Sequence, residues 1–87
     1  MVPAGREFPA TDYYRELQAD LAVERGVAYT AKKVYARAIN EYVRALDFDA
    51  RRGVVHRRLA ELYRQSGNLA GAARHTKEAD QLEAGQK

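Results

Sequence analysis

Displaced by 34 residues, this chain falls on itself: Tyr29 lands on Tyr63, Ala38 on Ala72, Ala45 on Ala79 and Ala50 on Ala84. Gly26 meets Ala60, Tyr35 meets Leu69 and Phe48 meets Leu82, so size class is kept where identity is not. The alanine matches are cheap in an alanine-rich chain; the tyrosine match and the size agreement are less so. A period of this length is one supersecondary unit, and stacking two units buries a face that neither could bury alone.

The units are helical. Pro3 and Pro9 both stand in the first nine residues, and nothing after them forbids helix. Thr11 and Asp12 are N-cap candidates. Tyr13, Tyr14, Leu17, Leu21 and Ala22 recur at three- and four-residue steps, which predicts a helix from about Asp12 to about Ala31. Lys32-Lys33-Val34 is the expected turn, although it has no Gly, Asn or Pro to take a left-handed conformation cheaply. The alternative there is a continuous helix swapped between two chains. A second stripe, Tyr35, Ala38, Ile39, Tyr42, Ala45 and Leu46, ends near Phe48-Asp49. A third helix is expected from about Val54 to Gln65, with Val55, Leu59, Leu62 and Tyr63 inward. Ser66-Gly67-Asn68 reads as a turn, with Gly67 ending one helix and Asn68 capping the next. The fourth helix, about Leu69 to Ala84, has a weaker apolar side of Leu69, Ala72, Ala73, Ala79 and Leu82. The reading is therefore all-α, one domain over 12–84, with a flexible segment at 1–11 and a frayed tail at 85–87.

The spacing resembles the tetratricopeptide repeat, whose pattern is Trp-x2-Leu-Gly-x2-Tyr, then Ala-x3-Phe, then Pro. Repeat one, about 19–52, reads Ala22-x2-Arg25-Gly26-x2-Tyr29, then Ala38-x3-Tyr42-x2-Ala45, then Ala50. Repeat two, about 53–86, reads His56-x2-Leu59-Ala60-x2-Tyr63, then Ala72-x3-Thr76-x2-Ala79, then Ala84. The stretch from Arg25 to Asp49 looks especially like a bacterial hairpin of that family. Small Gly26 and Ala60 let paired helices approach, with Tyr29, Tyr35, Tyr42 and Tyr63 as wedges. Arg25, His56, Lys33 and the two alanines at the proline sites depart from the pattern, and Thr76 and Asp80 make the last helix an end cap.

The resemblance implies an antiparallel α–α superhelix whose first helices line a concave groove for a peptide or helix. Mapped residue by residue, Asp20, Val23, Val27 and Thr30 line it from the first hairpin. Val54, Arg57, Glu61, Arg64 and Gln65 line it from the second. The expected ligand carries an apolar anchor beside an acidic group that Arg57 and Arg64 grip. Some members clamp chaperone C-termini with lysines and asparagines; Val23, Val27 and Arg58 stand at the matching positions, which argues against that activity. Tyr13, Tyr14 and Leu17 precede the first repeat with no hairpin to cover them. Two repeats are also fewer than the three usually needed. These residues are the self-association candidates, and a homodimer is the expectation.

Charge and composition narrow the function. Net charge is +3 in 87 residues, and basic and acidic residues are interspersed rather than gathered into the stripe that nucleic-acid binders show. An arginine-mediated nucleic-acid module is the alternative reading. There is no cysteine for a nucleophile, disulfide or thiolate site, and His56 and His75 are too few for a histidine-built metal cage. The only serine, Ser66, falls in a turn. His56 is expected between helices and His75 on the outer side of the last one. Asp47 and Asp49 read as local ion-pair partners of Arg51 and Arg52. No enzyme and no cofactor is expected. No apolar run approaches the ~20 residues that span a bilayer, and the N-terminus has no apolar signal core. The expected setting is cytoplasmic.

Overall fold

The computed structural model describes the backbone of residues 7–85 and the side chains of residues 12–85. It is all-helical: α1 (Glu7–Ala31), α2 (Tyr35–Phe48), α3 (Gly53–Gln65) and α4 (Leu69–Gly85). Helix α1 packs on α2 and α3 on α4, and a lighter α2–α3 contact joins the two hairpins. Helix α1 begins five residues earlier than the expected start at Asp12, so residues 7–11 of the expected flexible segment are helical. Pro9 is tolerated there because first-turn N–H groups have no intrahelical partner to lose. Residues 1–6 and 86–87 of the expected flexible ends lie outside the described residues.

Both hairpin turns close by the same hydrogen bonds. After α3, Gly67 N–H donates to the Arg64 carbonyl (3.1 Å) and Asn68 N–H to that of Tyr63 (2.7 Å), with Gly67 at φ +87°. After α1, Lys33 N–H donates to Thr30 (2.9 Å) and Val34 N–H to Tyr29 (2.9 Å), with Lys33 at φ 62°. Each is a Schellman cap, and the two are related by the sequence period (Tyr29 to Tyr63, Lys33 to Gly67). The first hairpin thus closes rather than running on as a continuous helix, with a lysine in a conformation that costs a side-chain-bearing residue about 1–2 kcal/mol. Lys33→Gly is expected to stabilise the chain by about 1 kcal/mol, a rise of roughly 4–8 °C in Tm for a domain this small. Thermal unfolding followed by circular dichroism checks it, and an unchanged or lower Tm contradicts it. Asn68 caps α4 as anticipated, its Oδ1 accepting from Gly71 N–H at 2.9 Å.

The core runs through the joint between the hairpins. Ala22, Ala38, Tyr42, Ala45, Val55, Leu59 and Leu62 form one buried cluster, flanked by half-buried Val23, Tyr29, Tyr35, Ile39, Leu46 and Tyr63. The expected stripes of α2 and α3 lie in it completely. Gly26 allows the closest approach: a Cβ there would sit 2.7 Å from Cε1 of the Tyr42 ring.

Two expected stripes are corrected. In α1 the inward face is small, with Ala19, Ala22 and Gly26, while Tyr13, Tyr14, Leu17 and Leu21 point outward. The cause is a helix with apolar residues on two opposite faces, of which the small one permits close packing on α2. In α4, Leu69 is 68% exposed and Ala73 is exposed, while His75 is buried rather than outward. Gly71, Ala72 and Ala79 bring α4 against α3, and His75 is the bulky side chain on that inner face.

Candidate protein-docking surface

Sequence reading placed nine groove residues together, and the structure separates them into three neighbourhoods. The first is a cleft of about 120 Å³ lined by Thr30, Tyr42, Arg58, Glu61, Leu62 and Gln65. Three expected groove residues, Thr30, Glu61 and Gln65, meet there. Tyr42 and Leu62, both buried, supply its apolar surface. Thr30 Oγ1 donates to the Gly26 carbonyl at 2.8 Å, which satisfies its hydroxyl within its own helix. Arg58 stands beside it and forms no ion pair among the described residues. Arg58 was not among the nine expected groove residues, although it stands with Val23 and Val27 at the positions matching the clamp of the resembling family.

The second neighbourhood is the outer flank of α3 and α4. Arg57 donates from Nε to Glu83 (2.8 Å) and from a terminal nitrogen to Asp80 and Glu83 (both 2.7 Å). Its hydrogen bonds to Glu83 and then Asp80 raise its pKa further above the ordinary arginine value, so it is a fixed cation with its fork already engaged. Arg64 donates to Glu61 at 2.6 Å and lines a shallow depression with Leu69, Ala72, Ala73, Thr76, Lys77 and Asp80. The two arginines share a flank, as their seven-residue spacing requires, but not the apolar cleft. Val54 is 65% exposed.

The third neighbourhood belongs to α1. Asp20 receives Arg52 at 2.7 Å, and Arg52 also donates to Asp49 (3.1 Å) and to the Glu16 carbonyl (3.3 Å). Asp49 further accepts from the Arg51 backbone at 3.3 Å, as a local partner of both arginines. This network ties the α2–α3 loop to the level of Glu16–Asp20 on α1. Helix α2 has only 14 residues against 25 in α1, so the first turns of α1 extend past the hairpin. Residues 12–17 are all exposed, and Ala19 is the first buried position after them. Tyr13 (67% exposed), Tyr14, Leu17, Leu21 and Val27 all project from this helix, five of the nine large apolar side chains exposed among the described residues. Val23 instead packs half-buried against the core. The self-association candidates therefore have no cover among the described residues.

The α3–α4 joint holds one further polar cluster. His56 Nδ1 lies 2.9 Å from His75 Nδ1, and His56 Nε2 lies 3.0 Å from the Ala50 carbonyl oxygen. The carbonyl can only accept, so His56 carries its proton on Nε2 and its Nδ1 accepts from His75 Nδ1–H. The rings stack at 5.1 Å between centroids, and Tyr63 stacks on His75 at 5.5 Å. Burial first, then His56 and Arg74, lower the His75 pKa, with Glu78 opposing. Among the described residues no group of three or more His, Cys, Asp or Glu side chains could hold a metal ion, and no helix is long and apolar enough to cross a membrane.

No protein-family model matches the chain, and neither the curated proteins nor the solved structures contain a significant match.

Proposed function

We propose that this chain is a protein–protein interaction module, two tetratricopeptide-like hairpins that act as a scaffold or adaptor in the cytoplasm, without catalytic activity. The observation that carries the reading is the apolar outer face of α1. Isolated exposed leucines are ordinary, but five large apolar side chains on one helix form the kind of contiguous patch that marks an interaction site. The cleft between Thr30, Leu62 and Arg58 is a second docking place, for a segment with an apolar anchor. Arg58 suits an acidic group beside that anchor better than Arg57, whose donors Asp80 and Glu83 already occupy. Arg52, Arg57 and Arg64 are each engaged by carboxylates of the same chain, which favours this reading over arginine-mediated nucleic-acid binding.

The test is site-specific photocrosslinking in cells. A photoreactive residue at position 13 is expected to capture discrete protein adducts, and the same residue at exposed Lys77 on α4 to capture few. Equal yields at both positions, or none at position 13, would remove the α1 face from consideration. A labelled oligonucleotide bound tightly at low salt and released at moderate salt would instead support the nucleic-acid alternative.

A further inference from the structure

The outward side chains of α1 follow a heptad. Tyr14, Leu17, Leu21, Glu24, Ala28 and Ala31 are spaced alternately by three and four residues, and every one is exposed. With Tyr14 at position a, the hairpin face (Ala19, Ala22, Gly26, Tyr29) occupies positions b and f, directly opposite the a/d seam. Tyr13, Asp20 and Val27 fall at g, beside it. Most of the bulkier apolar residues of α1, Val23 and Tyr29 excepted, thus point away from its own hairpin, in the spacing that mates with another helix.

We infer that the occupant of this seam is a second copy of the chain, paired two-fold and antiparallel through α1. This deepens the reading of α1 as a docking face and rests on it. Three observations choose a second copy. The other end of the molecule is a poorer complement: beside Leu69 and Ala73, the outer face of α4 exposes Arg74, Lys77, Glu78, Asp80 and Gln81, so head-to-tail stacking would set much of the apolar face on charge. The seam is complementary to itself when two α1 helices overlap along their full length, Glu7 level with Ala31 of the other copy. Leu17 then meets Leu21 of the second copy, Tyr13 lies on its Val27, and the Tyr14 hydroxyl can donate to its Glu24 carboxylate. Between Tyr14 and Ala31 Glu24 is the one charge in the seam, and this register gives it a donor; parallel pairing would set Glu24 against itself. Asp20 approaches its counterpart near the two-fold axis, each neutralised by its own Arg52 at 2.7 Å.

The third observation is size. Helix α1 is about 37 Å long at 1.5 Å per residue. Aromatic side chains bury roughly 150–250 Å² each when fully covered. Two copies of this partly exposed face therefore bury on the order of 1,000 Å², the lower bound of specific interfaces.

The experiment is light scattering of the full chain across the micromolar range, with three variants. The mass is expected to rise from 9.8 kDa towards twice that value with concentration. Leu17→Glu should raise the dissociation constant more than tenfold while helicity by circular dichroism is unchanged, because Leu17 stands outside the buried core cluster of its own chain. The chain has no cysteine, so single cysteines report the register. An oxidised mixture of Leu17→Cys and Leu21→Cys chains should crosslink, and Ala28→Cys alone should not, its copies lying about 27 Å apart along the axis. Self-crosslinking of Ala28→Cys would overturn the antiparallel arrangement. A dimer indifferent to Leu17→Glu would overturn the seam. A monomer at all concentrations overturns the second copy. If position 13 still crosslinks another protein, the docking reading survives that loss, and if deleting residues 1–6 restores dimerisation, the chain's own N-terminus is the occupant.

Discussion

Tyr42→Ala is expected to leave the chain largely unfolded at 25 °C. Tyr42 is 1% exposed and is among the largest fully buried side chains. Truncating a buried aromatic costs about 3–5 kcal/mol, and a core of this size supplies little more than roughly 3–5 kcal/mol altogether. The more discriminating experiment pairs it with Gly26. Gly26→Ala alone should destabilise by about 1–3 kcal/mol, because the new methyl meets the Tyr42 ring at 2.7 Å. In a Tyr42→Leu background the ring is gone, and the same substitution should turn neutral or stabilising, since alanine outranks glycine in a helix by about 1 kcal/mol. Urea unfolding of the four proteins measures that reversal. A Gly26→Ala cost that is the same in both backgrounds would show that the contact does not set the α1–α2 distance.

Acidification should destabilise the fold through the paired histidines. The His75 pKa is lowered in the folded chain by burial first, then by His56 and Arg74. The unfolded chain therefore binds more protons between the folded and the ordinary pKa, and stability rises with pH in that window. Read downward, the contribution is complete above pH 6.5, the ordinary value, and is lost as pH falls through the folded pKa. The geometry adds a sharper statement. One proton can enter at His75 Nε2 while the 2.9 Å Nδ1–Nδ1 hydrogen bond survives. That bond needs an acceptor on His56 Nδ1, since two donors face to face at this distance would push the rings apart. His56→Phe removes this pairing but leaves the buried His75 Nδ1–H unpartnered, at a cost of about 1–3 kcal/mol. The variant should be less stable at pH 7.5 and should show a flatter loss between pH 7 and 5. A wild-type Tm that is constant across that range would contradict the argument.

The helices of this chain were legible because local rules act within a few residues. The α2 and α3 stripes came directly from spacing, and Asn68 capped α4 because an amide placed just before a helix has one obvious donor to satisfy. The apolar residues of α1 read as one stripe where the structure has two faces, for a physical reason. Periodicity reports that a helix has an apolar stripe, not which of two stripes a neighbour prefers, and the smaller one won because Ala19, Ala22 and Gly26 admit closer packing. His75 was placed outside because a histidine among alanines reads as surface until a partner is seen, and that partner, His56, lies 19 residues away in sequence.

The candidate site divides the same way. That Arg57 and Arg64 share a flank follows from helical spacing alone. That Arg57 is held by Asp80 and Glu83, and that Arg58 instead reaches the cleft with Tyr42 and Leu62, depended on how α3 is rolled between α2 and α4. The repeat period, the helix count and the close approach at Gly26 belong to the sequence, since each is a property of residue size and order. Which face of α1 is inside, where the histidines meet and which cations stay available were decided by tertiary packing, where contacts between residues far apart in the chain outweigh local preference.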